Sequence, residues 1–295
     1  MKKTIFKGAG VALITPMRND GSVDYETLEK LIEFQIENKT DAIISCGTTG
    51  ESATLSQSEH KKVIEFTINK VNGRIPVIAG SGSNNTSTAL ELSKEAESLG
   101  ADGLLIVTPY YNKTSQSGLI KHYLHIADRV SCPIILYNVP SRTGVNIAPE
   151  TYLELSKHQN IVAAKEANGN ISSLAKSISL CGKNLNFYSG NDDQIVPILS
   201  LGGIGVISVF SNVCPRECHE IVENYLNGNC KESLNLQLKY LNLIENLFCD
   251  VNPVPVKEAM NLMGFSCGNC RLPLGNLSES NLENLKNEMK KLNLI

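Results

Sequence analysis

Lys165 closes a short apolar run, Asn160-Ile161-Val162-Ala163-Ala164-Lys165, and 28 residues before it Tyr137 closes another, Pro133-Ile134-Ile135-Leu136-Tyr137. An amine and a phenol, each at the end of a strand-like run and one βα unit apart, can do imine chemistry. The amine attacks a ketone and the phenol moves the protons that the attack requires. Adjacent strands of a parallel barrel lie about 4.8 Å apart, so the two groups can meet over its mouth. A lysine ending a buried strand is costly to keep charged and unpaired, and the same burial favours the free amine. Glu166 is not its obvious partner, because successive strand side chains face opposite sides.

Further polar groups follow other runs. Gly47-Thr48-Thr49-Gly50-Glu51-Ser52 offers two hydroxyls, and its glycines free the backbone to curl and present N–H groups to an anion. Thr108-Pro109-Tyr110-Tyr111-Asn112-Lys113 and Tyr137-Asn138-Val139-Pro140-Ser141-Arg142-Thr143-Gly144 add Tyr111 and Arg142. Each has a plain reading when taken alone: a turn, a rim tyrosine with a wet hydroxyl, a solvated loop charge. Gathered on one rim they make a site.

Positioning them there is the task of the alternating elements. Eight strand-like runs, at 10–14, 42–46, 75–79, 103–107, 133–137, 161–165, 186–189 and 205–208, are separated by amphipathic stretches such as 25–38, 59–71, 87–99, 118–130, 149–157 and 171–181. Strand then helix, repeated without hairpin signals, predicts an α/β chain folded as a (β/α)8 TIM barrel, whose site lies in the loops after the strands. A doubly wound open sheet would place a Gly-rich phosphate turn after the first strand, and residues 11–16 have none. Leu201-Gly202-Gly203-Ile204-Gly205 precedes the eighth strand, at the opposite end of the barrel, and reads as a helix C-cap rather than a phosphate or flavin site. Beyond it, helical patterns at 217–227, 233–248, 256–263 and 282–292 give one helix to close the ring and an appendage. The expected organisation is a catalytic barrel over 1–228 and a C-terminal helical region, 229–295, packed on it.

Composition limits the alternatives. The 295 residues are 42% apolar and 19% charged with net charge -3, and no long run of one sign appears, which argues against nucleic acid or an anionic membrane as partner. Neither a signal-peptide core nor a run of about 20 apolar residues is present, so a cytosolic protein is expected. Cys267 and Cys270, with Cys214 and Cys218, could be offered as a zinc site. The two pairs are far apart in sequence, and reduced thiols in a reducing compartment account for them. The chemistry calls for no metal and no organic cofactor.

Taken together, the Gly-Thr-Thr-Gly-Glu, Tyr-Tyr-Asn-Lys, Tyr-Asn-Val-Pro-Ser-Arg-Thr-Gly and Lys-Glu-Ala motifs resemble the dihydrodipicolinate synthase family. It is one of the lysine-dependent aldolase and lyase barrels, which include N-acetylneuraminate lyase. The resemblance runs in order over about residues 5–265, with Thr114 where a proline is expected. It implies condensation of pyruvate with aspartate-4-semialdehyde through an imine on Lys165. It further implies that Tyr137, Thr48 and Tyr111 relay protons, that Tyr111 comes from a neighbouring subunit, and that tight dimers build a homotetramer. By the same resemblance Thr49 holds the pyruvate carboxylate, Arg142 that of the semialdehyde, and Gly190 and Ile207 line the pyruvate pocket.

A sialic-acid-type or keto-deoxy-sugar aldolase would share Lys165, Tyr137 and the 47–52 loop, but a polyol aldehyde has no carboxylate for Arg142. A barrel kept only for binding or structure would be expected to lose Lys165, Tyr137 or Arg142. Lysine-sensitive members bind lysine behind the 47–52 loop. Here Gln57 and Thr88 replace a histidine and a glutamate of that pattern, so weak feedback is expected.

Overall fold

The computed structural model describes residues 2–295. Eight strands close in chain order into a parallel barrel: β1 (Gly8–Ala12), β2 (Ala42–Ser45), β3 (Val77–Gly80), β4 (Gly103–Val107), β5 (Ile134–Asn138), β6 (Ile161–Glu166), β7 (Asn186–Ser189) and β8 (Gly205–Ser208). Helices alternate with them, as the sequence pattern predicts. Strand parity sorts the apolar residues into two cores. Ile44, Ile78, Leu105, Ile135, Tyr137, Tyr188 and Ile207 fill the barrel, while Ile43, Leu104, Ile134, Leu136 and Ala164 pack outward under the helices.

Several boundaries differ from expectation for local reasons. β1 lies at Gly8–Ala12 rather than 10–14. Its pairing with β8 begins where Gly8 faces Gly205, and a Cβ on Gly205 would come within 2.1 Å of the Gly8 carbonyl oxygen. The chain leaves the ladder at Ile14, whose N–H turns to Asn212 Oδ1 at 3.1 Å. β3 starts two residues late because Pro76 has no N–H to give. The segment carrying Arg142, read as a loop, contains the one-turn helix Pro140–Thr143, with proline in its first turn and Gly144 at φ 68° ending it. The expected helix at 233–248 is two helices, Cys230–Lys239 and Leu241–Asn246, meeting at Tyr240.

The helix Pro215–Leu226 lies against β1 and β8 and completes the ring. The chain then returns towards the loop after β2 through the helix Val254–Leu262. Lys257 Nζ donates to Glu51 Oε1 at 2.6 Å, a pair shut away from solvent, and Arg271 N donates to Glu51 Oε2 at 2.9 Å. The Arg271 guanidinium reaches Glu59 at 3.0 Å. The C-terminal helices therefore buttress the loop after β2. No helix among the described residues is long and apolar enough to cross a membrane.

Candidate active site

Lys165 and Tyr137 point into the barrel from adjacent strands and stand in register. Both are at least 93% buried, and Lys165 Nζ lies 4.4 Å from the centroid of the Tyr137 ring. A cation on a ring face is held by the ring quadrupole. Tyr188 pairs with Lys165 on its other side, but its hydroxyl is consumed by the Phe6 carbonyl at 2.6 Å. Of the two tyrosines flanking the amine, only Tyr137 therefore keeps a hydroxyl for proton transfer.

One residue outward on each strand the chemistry is different. Asn138 pairs with Glu166, and Asn138 Nδ2 donates to both carboxylate oxygens at 2.9 and 3.1 Å. Tyr152 Oη and Asn168 N complete the shell at 2.8 and 2.9 Å. Burial between barrel and helices pushes the Glu166 carboxyl up to about 7, although these three donors favour its charged form. Glu166 thus faces away from Lys165, as parity requires.

The 47–52 loop follows β2. Its left-handed positions fall on Cys46 and Glu51, both at φ 55°, and not on its glycines. Gly50 is needed for room instead, since a Cβ there would sit 3.0 Å from the Leu13 carbonyl oxygen. The Glu51 and Ser52 amides close the turn onto Thr48 and Gly47. The amides of Thr48, Thr49 and Gly50 have no acceptor among the described residues, which suits an anionic group. Thr49 is buried and its Oγ1 accepts from Asn252 Nδ2 at 3.0 Å.

A cavity of about 410 Å³ opens beside this loop. Thr48, Ser52, His60, Thr88, Tyr110, Val139, Arg142 and Thr143 are among the residues that line it. Thr143 anchors the Arg142 helix by accepting from Thr108 Oγ1 at 3.0 Å. Among the described residues Arg142 is the one ionised side chain in the lining. His60 is held neutral by burial, its Nε2–H donating to the Gly80 carbonyl at 2.8 Å and its Nδ1 left without a partner. The lining suits an anion and, among the described residues, offers no carboxylate to a cation.

Gly190 and Ile207, named by the resemblance, lie just after β7 and within β8. Gly190 follows β7, its N–H on the Glu166 carbonyl at 2.7 Å, and a Cβ there would meet Ala167 Cβ at 2.7 Å. Ile207 is buried inside the barrel. Tyr111 is apart from the rest. It is 91% exposed, at φ 69°, the centre of a tight turn in which Asn112 N donates to the Tyr110 carbonyl at 2.9 Å. Such a backbone is strained for a bulky residue. Its own chain's cavity lining does not include it. Burial pushes the Cys46 and Cys270 thiols up to about 12, which disfavours their thiolate forms.

Two site residues escaped the sequence reading. Asp192 Oδ2 accepts from the Val209 and Phe210 amides at 2.9 Å each, tying the end of β8 to the loop after β7. The paired acids Asp192-Asp193 directly after a strand were its only signal. Asn252 reaches Thr49 across 203 residues, and its carbonyl accepts from Arg142 Nη2 at 3.1 Å. It sits in a break between helices, where sequence gives no direction.

The sequence pattern of the dihydrodipicolinate synthetase family matches residues 5–292. The chain is 61% identical over 282 residues to the 4-hydroxy-tetrahydrodipicolinate synthase of Caldicellulosiruptor saccharolyticus, covering 96% of this chain and 95% of that one. Among solved structures it is similar to the dihydrodipicolinate synthase of Acinetobacter baumannii complexed with pyruvate, at TM-score 0.97 and 44% identity, covering 99% and 100% of the two chains. The Cyanidioschyzon merolae enzyme with lysine bound gives TM-score 0.96 and 41% identity over 99% and 100%.

Proposed function

We infer the roles of individual residues from the premise that this chain belongs to the dihydrodipicolinate synthetase family. It condenses pyruvate with L-aspartate-4-semialdehyde to 4-hydroxy-tetrahydrodipicolinate in the diaminopimelate route to lysine.

In our reading the Lys165 amine attacks the pyruvate ketone and water leaves as the iminium forms. The iminium draws electrons from the methyl group, a proton departs, and the enamine adds to the aldehyde. The amino group of the semialdehyde then closes the ring by displacing Lys165. Tyr137 relays the protons of these steps together with Thr48 and the partner subunit's Tyr111. Thr49 and the open amides of its loop hold the pyruvate carboxylate, with Gly190 and Ile207 shaping that pocket. Arg142 holds the carboxylate of the semialdehyde, a charge-assisted contact worth about 1.5–3 kcal/mol.

The observation that carries this assignment is the in-register pairing of a buried lysine with a tyrosine. The cavity whose one charged lining group among the described residues is Arg142 supports it, although neither Lys165 nor Tyr137 is part of that lining. That cation also favours the acidic aldehyde over a polyol. The exposure of Tyr111 supports a tight dimer, which we extend to a homotetramer of two such dimers in the cytoplasm. We keep 1–228 as the catalytic barrel and 229–295 as a helical region packed on it. Borohydride with pyruvate tests the central step: a reduced pyruvyl mass is expected on the peptide carrying Lys165, and a label on another lysine would refute it.

A further inference from the structure

Asn252 touches both residues assigned to the substrate carboxylates. It is 6% exposed, its Nδ2 donates to Thr49 Oγ1 at 3.0 Å, and its backbone carbonyl accepts from Arg142 Nη2 at 3.1 Å. Its Oδ1 is buried and has no partner among the described residues. A buried amide oxygen without a donor is unfavourable, and native proteins rarely leave one unless a ligand or water completes it.

The second substrate supplies a donor of the right kind. L-Aspartate-4-semialdehyde is an α-amino acid, so its ammonium and carboxylate share one carbon. A carboxylate on the Arg142 guanidinium sets the ammonium near the residue that touches that guanidinium, and the Asn252 backbone carbonyl does. We propose that Asn252 Oδ1 accepts a hydrogen bond from the substrate's α-ammonium, making Asn252 the residue that selects an α-amino aldehyde. This rests on the reading that Arg142 holds the carboxylate. The opposite end of the same amide serves the first substrate. Nδ2–H occupies an acceptor site of the Thr49 hydroxyl, which leaves the Thr49 proton to be given to pyruvate.

The test compares L-aspartate-4-semialdehyde with 4-oxobutanoate, the same aldehyde lacking the amino group, read as a competitive inhibitor. Asn252→Ala is expected to raise KM for the semialdehyde about tenfold or more. The inhibition constant of 4-oxobutanoate should change less than twofold, and borohydride trapping with pyruvate, which loses the Nδ2 contact to Thr49, should weaken by clearly less than the semialdehyde KM rises. Asn252→Asp, whose carboxylate also accepts from an ammonium, should restore the preference. If Asn252→Ala does not fold, Asn252→Ser takes its place in the same comparison. Equal weakening of both aldehydes, or a loss of pyruvate trapping that matches the loss of semialdehyde binding, would make Asn252 a support for Thr49 and overturn the proposal. Arg142→Ala separates the premise from the inference. It should weaken both aldehydes alike, and if it weakens neither, the carboxylate assignment fails whatever Asn252 does.

Discussion

Lys165 stands opposite Tyr137 because β6 carries one residue more than β5 between their first and last paired positions. Ile134 pairs with Ile161, but Ile135 pairs with Ala163, and the extra residue is Val162. Without that bulge the register would set Ala164 against Tyr137 and turn Lys165 towards Asn138. The bulge re-aims the amine into the barrel, a use such irregularities have beside active sites. Both Val162 and Ala163 consequently belong to the inner core, a break in the alternation seen along the other strands.

Tyr137→Phe keeps the ring over the amine and removes only the hydroxyl. The expected loss in kcat is about 10²- to 10⁴-fold, the range for a general acid–base group, with pyruvate KM little changed. Steady-state rates with both substrates measure it. A loss under tenfold would move proton transfer to another group.

Tyr111 lies outside its own chain's cavity, so its contribution is expected across a subunit boundary. Tyr111→Phe and Lys165→Ala chains, each nearly inactive alone, should regain activity when assembled together. Mixed dimers verified by mass that show no recovery would return Tyr111 to its own chain.

At neutral pH lysine carries an α- and an ε-ammonium, and the cavity lining offers it Thr88 and a neutral His60 but, among the described residues, no carboxylate. Losing one charge-assisted contact weakens binding by about 1.5–3 kcal/mol. Lysine is therefore expected to inhibit hardly at all at millimolar concentration. Initial rates against lysine decide it, and half-inhibition below about 1 mM contradicts the expectation.

Glu166 gives a pH signature of stability. Its carboxyl is raised from 4.5 to about 7 in the folded chain, so between those values the folded state holds a proton that the unfolded state has shed. Its contribution is fully present below about pH 4.5 and is lost as pH rises through 7, by up to about 3 kcal/mol. In Glu166→Gln the group cannot ionise. Denaturant unfolding of both proteins across this range should show wild type losing stability relative to the variant as pH rises, and a constant difference would mean the carboxyl is not raised.

Strand–helix alternation, the (β/α)8 class and the polar groups at strand ends were legible in the residues, because period-two burial and parallel pairing leave a local imprint. Lys165, Tyr137, Thr48 and Arg142 were proposed as site residues that way, each at or after an apolar run. The 47–52 loop was legible as a loop whose glycines let the backbone curl, but which residues take the left-handed angles was not: neighbouring backbone decides that Cys46 and Glu51 do, and Gly50 supplies clearance. Tertiary structure alone decided three further things: the Val162 bulge, the return of the C-terminal helices towards the loop after β2, and the meeting of Asn252 with Thr49 and Arg142. The physical reason is the same in each. A strand's own pattern fixes which residues are apolar, but register against a neighbour and contact across some 200 residues depend on how the whole barrel closes, and no local periodicity encodes that.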